Sequence, residues 1–331
     1  MKRLAPHRRL LLRFRLRHHL HATACALALV LALTATTRET RAAPPPLQSL
    51  VDRAAHGALA RFRAENLQPD QLALTLLDLR DPAAPVRASY RGGVPIYPAS
   101  VVKLFYLAAA HRWLEDGKLA DTAELRRALR DMIVDSSNDA TAYVVDLLTG
   151  TTSGPELPDA DLQIWFDRRN AVNRYFAALG YTDINANKKP WGDGPYGRET
   201  QARERFEPKR NMLTTDATAR LLADLATGRC VSAPRSREML LLLTRDPATT
   251  STDPLLQARF SGPSLPPGAK LWSKAGWTSE TRHDATYVEL PGGARYVLVV
   301  FTVGHATQHE LIRDIARTIA EQMAAETRGN K

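Results

Sequence analysis

The apolar positions of this chain change period several times, and each change marks an element. Over residues 48–67 they recur at helical spacing, with Leu50, Val51, Ala54, Ala58, Leu59 and Phe62 on one face. LALTLLDL, from Leu72 to Leu79, is an apolar run of strand length. The turn RDPAAP follows, with two prolines that break any helix. VRASYRG then alternates, which predicts a second strand paired with the first as a hairpin. YPASVVKLFYLAAA, from Tyr97 to Ala110, is apolar nearly all round and predicts a buried helix. Helical patterns continue over residues 122–134, 139–148, 163–179, 214–227 and 233–244. Strands return in KLWSKAGW, HDATYVEL and ARYVLVVFTVG, and an amphipathic helix is predicted over residues 309–325.

Strands thus stand at both ends of the chain with helices between them. The simplest α+β fold for this order is an antiparallel sheet made from both chain ends, flanked by terminal helices, with an inserted all-helical subdomain. The sheet subdomain would cover about residues 49–106 and 246–327, and the helical one about 107–245. No internal repeat is visible. Between Gly180 and Met212 lies a long polar segment, and loops of that length in compact domains are usually functional.

The first 42 residues differ from the rest. A basic stretch precedes an apolar run over about residues 22–36, then Thr40-Arg41-Ala42 as a small-residue cleavage site. This is the order of a secretory signal peptide, and residues 43–48 follow as a linker. The apolar run is short of the ~20 residues that span a bilayer comfortably. Export to the periplasm or the medium is therefore expected, with an uncleaved N-terminal anchor as the alternative. Nine Lys/Arg against one Glu give this leader +8 of the chain's +10, which leaves +2 for the remainder. With no basic run interleaved with aromatics beyond the leader, nucleic acid is not an expected partner. Of the two cysteines only Cys230 lies beyond the leader, so no internal disulfide is expected there.

The buried helix carries Ser100 and Lys103, three residues apart and so on one face. Burial disfavours an ammonium, and a lysine that has lost its proton is a base for a neighbouring hydroxyl. Arginine cannot serve this way. The chain has nine lysines among 45 basic residues, so a lysine inside an apolar helix stands out. The pair also fits a helix-start serine and a snorkelling lysine. Asp135-Ser136-Ser137-Asn138-Asp139 lies between two helices. A serine there can relay a proton to a leaving nitrogen and an asparagine can bind a substrate amide, though these residue types are also favoured helix caps. Trp272-Ser273-Lys274-Ala275-Gly276-Trp277 sits on a strand. Gly276 would let a substrate backbone lie against that strand, and Lys274 would supply a charge for a carboxylate.

In order, spacing and context these three pieces resemble the signature of class A β-lactamases and the related penicillin-recognising serine hydrolases. The resemblance covers about residues 50–323, and NMLTTDATARLLADLATG is similar to the helix after that family's omega loop. It implies an exported monomeric hydrolase without metal or cofactor, acting on a β-lactam or a cell-wall peptide. It implies Ser100 as the acylated nucleophile, Lys103 as its base, Ser136 as the proton shuttle and Asn138 as the amide that holds the substrate side chain. Lys274 and Gly276 match two positions of the family's Lys-Thr-Gly strand, and the backbone N–H groups of Ser100 and Trp277 would form the oxyanion hole.

The sequence departs from the family in three places. Ser137 stands where the family has Asp. Ala275 stands where a Thr or Ser hydroxyl helps to bind the carboxylate, which leaves that task to Lys274 and Arg282. Glu199 resembles the omega-loop glutamate that activates water for deacylation, with Glu204 as second choice, but the asparagine expected a few residues later is missing. Two alternatives follow. One is a penicillin-binding, peptidase-like or esterase-like hydrolase that releases the acyl group slowly. The other is a non-catalytic envelope-binding protein of the same fold. The histidines lack zinc-ligand spacing. His283, beside Arg282, either reaches the cleft or is an ordinary strand residue.

Overall fold

The computed structural model describes residues 41–42, 45–191 and 194–329. Apart from Arg41 and Ala42, the signal peptide expected over residues 1–42 lies outside the described residues.

Seven strands form one sheet in the order β1-β3-β2-β7-β6-β5-β4. They are β1 (Arg41–Ala42), β2 (Leu72–Asp78), β3 (Val86–Tyr90), β4 (Thr244–Arg245), β5 (Lys270–Trp277), β6 (Thr281–Glu289) and β7 (Arg295–Val303). All pairings are antiparallel except that of β1 with β3. On β2 and β7 the side chains alternate between two apolar cores. Leu72, Leu74, Leu76, Tyr296, Leu298 and Val300 face the terminal helices α1 (Pro45–Arg61) and α10 (His309–Gly329). Ala73, Leu77, Val297, Val299 and Phe301 face the helical block. A sheet covered on both faces has no polar side, so LALTLLDL reads as a continuous apolar run.

The helical block contains α2 (Lys103–Glu115), α3 (Ala123–Ile133), α4 (Asn138–Thr149), α5 (Asp159–Arg169), α6 (Ala171–Ala178), α7 (Arg198–Arg205), α8 (Thr215–Ala226) and α9 (Ala233–Leu243). Helix α2 is buried on every side from Lys103 to His111, as its all-round apolarity predicts.

Three expectations need correction. Helix α1 starts at Pro45, inside the expected linker 43–48, because proline fits the first helical turn, where its missing N–H costs nothing. The helix expected over residues 163–179 is two helices. Asn170 divides them, with Nδ2 on Phe166 O at 3.0 Å and Oδ1 accepting the amides of Asn173 and Asn187 at 2.9 and 2.7 Å. The polar segment 180–212 is not structureless, since it contains α7. That helix has almost no apolar period of its own and packs through Ala202 against Leu162, Trp165 and Phe166.

Candidate active site

A 3₁₀ turn, Ala99–Val102, leads directly into α2, so Ser100 lies on the turn and Lys103 opens the helix. In 3₁₀ geometry side chains three apart lie on one edge of the turn. The Lys103 backbone N–H closes the turn on Ser100 O. Ala99, just before the serine, has φ +45°, and Ser136 has φ +56°. A non-glycine residue held in this left-handed region costs on the order of 1–3 kcal/mol and persists only where the surroundings over-determine it.

Those surroundings are visible. A Cβ placed on Gly276 would lie 2.8 Å from Pro98 O, 2.9 Å from Ser100 N and 3.0 Å from Val101 N. The missing side chain therefore admits the backbone of the Ser100 turn at close range. It also sets Ser100 N beside the end of β5, where Trp277 follows. Gly276 pairs with His283 across the strands. The Thr302 N–H donates to His283 Nδ1 at 3.1 Å, so Nε2 carries the proton and donates to Tyr97 O at 2.9 Å. Burial pushes the His283 pKa down to about 4, which keeps the ring neutral. This histidine anchors the front of the Ser100 turn.

Behind the turn, two lysines meet one hydroxyl. Lys103 Nζ donates to Ser136 O at 2.5 Å and Asn138 Oδ1 at 3.0 Å, and lies 3.2 Å from Ser136 Oγ. Lys274 Nζ lies 3.0 Å from the same Oγ, with Gln257 Oε1 at 3.1 Å and Ala275 O at 2.8 Å. The middle residue of the Ser-Ser-Asn run has a different task, for Ser137 Oγ caps α4 through Ala140 N at 3.1 Å. Both lysines are fully buried. Burial pushes Lys103 down to about 7. Burial, and then the charges of Lys103 and Arg245, push Lys274 well below the usual lysine value. Ser136 has one proton, so it can fill the lone pair of one neutral lysine while accepting from the other. Among the described residues the Ser100 hydroxyl takes no part in this network, and Ser100 is half-buried.

Three expected site residues make no hydrogen bond or ion pair with Lys103, Lys274 or Ser136. Glu199 is buried, but its Oε1 accepts from Arg169 Nη2 at 2.6 Å and Ser153 Oγ at 2.9 Å, with Lys189 Nζ at 3.8 Å. Lys189 in turn donates to Asp146 at 2.7 Å. Two carboxylates and two cations pair with one another there, with no hydrogen bond to Lys103. The second-choice Glu204 is exposed. Arg282 is 1% exposed, stacks 3.6 Å over Phe260 and donates to Pro254 O at 2.7 Å. By register it shares a sheet face with Asp284, opposite Lys274, so it does not offer the accessible cation that a substrate carboxylate needs. Ala275 is fully buried in the core beneath the terminal helices.

Sequence reasoning missed Gln257, a buried polar residue that opens a short 3₁₀ turn, Gln257–Arg259, with no local pattern to announce it. Among the described residues no cluster of three or more His, Cys, Asp or Glu side chains has metal-holding geometry.

The model of the Beta-lactamase enzyme family matches residues 58–323. A comparison with curated proteins finds no match. Solved structures share the fold. A β-lactamase from Sphaerobacter thermophilus has 21% identity and a TM-score of 0.60, covering 84% of this chain and 98% of that one. PBP-A has 17% identity and a TM-score of 0.59, covering 86% and 98%. A PBP-A variant, solved as an acyl-enzyme complex with penicillin G, has 19% identity and a TM-score of 0.59 over the same shares, 86% and 98%.

Proposed function

The chain belongs to the β-lactamase enzyme family, and on that premise we propose that it is an exported serine hydrolase acylated by β-lactams on Ser100. The observation that carries the reading is the convergence of Lys103 and Lys274 on Ser136, directly behind the Ser100 turn. Lys103, its pKa brought to about 7, is a usable base near neutral pH and takes the proton from Ser100 Oγ. The oxygen attacks the β-lactam carbonyl carbon, and the N–H groups of Ser100 and Trp277 receive the negative oxygen. The ring C–N bond breaks. Its nitrogen takes a proton from Ser136, which is replenished from a lysine, so one proton passes in all from serine to nitrogen. Asn138 binds the acylamide side chain. Hydrolysis of the ester by water restores Ser100. The signal-peptide order of residues 1–42 supports an exported enzyme.

A second reading concerns the fate of the acyl-enzyme. The Glu199 carboxylate is engaged by Arg169 and Ser153, which favours a penicillin-binding or peptidase-like enzyme that deacylates slowly. Intact-mass spectrometry of the protein lacking residues 1–42, mixed with a penicillin, tests both readings. A Ser100-dependent adduct, absent in Ser100→Ala, supports acylation. Its decay with accumulation of hydrolysed drug supports the β-lactamase, and persistence for hours supports the slow enzyme. No adduct and no hydrolysis with a penicillin or a cephalosporin would refute the reading.

A further inference from the structure

Gln257 is 5% exposed, and its amide is fully engaged. Nε2 donates to Ile133 O and Val134 O, each at 2.9 Å. Oε1 accepts from Lys274 Nζ and from the Ala275 N–H, each at 3.1 Å. The two carbonyls belong to the last turn of α3, where a helix leaves such groups without intrahelical partners. Two residues later the same chain reaches Ser136. The two donors belong to β5, the strand that carries Lys274. Lys274 then closes the circuit on Ser136 Oγ at 3.0 Å. One side chain thus joins the end of a helix in the helical block to a strand of the sheet, and the lysine–hydroxyl contact lies inside the resulting ring.

We propose that Gln257 is a positioning residue that sets the Lys274–Ser136 contact across the two subdomains and holds Lys274 with a neutral acceptor; its effect on acylation rests on the reading above. Both ends of the amide are needed. The side facing Ile133 and Val134 must donate, and the side facing Lys274 and Ala275 N–H must accept. A carboxylate of the same size satisfies β5 but turns an oxygen toward two carbonyl oxygens. It also gives Lys274 an ion-pair partner. The other charged groups acting on Lys274 are Lys103 and Arg245, which oppose its proton, and Asp284 on the far face of the sheet, which favours it. An apolar residue breaks all four bonds and leaves buried polar groups without partners. Arg245 Nη2 also reaches Ile133 O, at 3.2 Å, so the helix end keeps one tie without Gln257.

The test compares wild type, Gln257→Met and Gln257→Glu in two measurements. The first is the rate of Ser100 acylation by a penicillin from pH 5 to 9. The second is the titration of the lysine side chains by NMR on protein carrying ¹³C-lysine, which needs no substrate. At least a tenfold loss of acylation rate in both variants is expected. In Gln257→Glu the Lys274 signal should titrate at least one pH unit higher, with a smaller change at Lys103. Acylation within twofold of wild type in both variants, or an unmoved Lys274 signal in Gln257→Glu, would overturn the proposal. Should Gln257→Met not fold, the Gln257→Glu titration decides alone. Should wild type resist every β-lactam tried, the functional reading fails while the Lys274 titration still decides the role of Gln257.

Discussion

Lys103 Nζ and Lys274 Nζ reach the same Ser136 hydroxyl, at 3.2 and 3.0 Å. Neither lysine has a carboxylate hydrogen-bonded to it among the described residues. Burial disfavours the ammonium form of both, and the charge of Lys103 lowers the proton affinity of Lys274 further. In this way an ordinary basic side chain becomes a base near neutrality.

The rate of Ser100 acylation should follow that base. Lys103 is active when neutral, and its pKa is about 7. Acylation by a penicillin should therefore be slow at pH 5.5, rise through about 7 and level off above 8. Lys103→Arg, which keeps the charge but cannot lose it, should abolish the rise and lower the plateau by at least 100-fold. A rate independent of pH between 5.5 and 8 would exclude Lys103 as the titrating base.

Glu199 separates stability from deacylation. Its carboxylate is held by Arg169, itself 1% exposed, so Glu199→Ala leaves a buried cation short of its closest anion. Removing one partner of a buried pair costs about 3–5 kcal/mol, and the melting temperature should drop by several degrees. The acyl-enzyme lifetime should stay within about threefold of wild type. A lifetime lengthened by 100-fold, with little change in melting, would instead make Glu199 the base for water.

Most of the fold was legible in the sequence because burial left strong patterns. β2, β7 and α2 lie inside the core, and their apolar runs announce it. The division at Asn170 and the helix α7 were not legible. Side-chain hydrogen bonds made the first, and Ala202 together with the bonds of Glu199 and Gln201 to other segments anchors the second. In the candidate site, Lys103, Ser136 and Asn138, which the structure brings together, stand in short local motifs that could be read. The orientation of Arg282 depends on strand register, and the engagement of Glu199 depends on Arg169 from another helix. Neither is a local property. The same holds for Gln257, whose four partners lie 17 to 124 residues away in sequence.

Gly276→Ala tests the close approach of β5 to the Ser100 turn. The added carbon meets only backbone, at 2.8 to 3.0 Å from Pro98 O, Ser100 N and Val101 N, so no side chain can swing aside. Overpacking of this kind costs about 1–3 kcal/mol. The larger effect should be on acylation, since the displaced atom is the Ser100 amide itself. At least a 30-fold slower adduct formation is expected, with the protein still folded by circular dichroism. Unchanged acylation would mean that the turn and the strand do not need this contact.

His283 predicts a loss of stability in acid. Its folded pKa is pushed by burial to about 4, below the ordinary 6.5, so between those values the unfolded chain binds more protons than the folded one. Its contribution is complete above pH 6.5 and is lost as pH falls toward 4. The gap corresponds to about 3 kcal/mol at most. His111, buried and also near 4, adds loss over the same window. Asp284 acts in the opposite sense, because burial raises its pKa to about 6 and its protonation in acid favours the folded state. The two histidines should outweigh it, and the urea midpoint should fall between pH 7 and 4.5. His283→Gln retains a donor for Tyr97 O but cannot titrate, so its midpoint should fall less over that interval. If both proteins lose the same amount, the His283 ring is not the group that acid attacks.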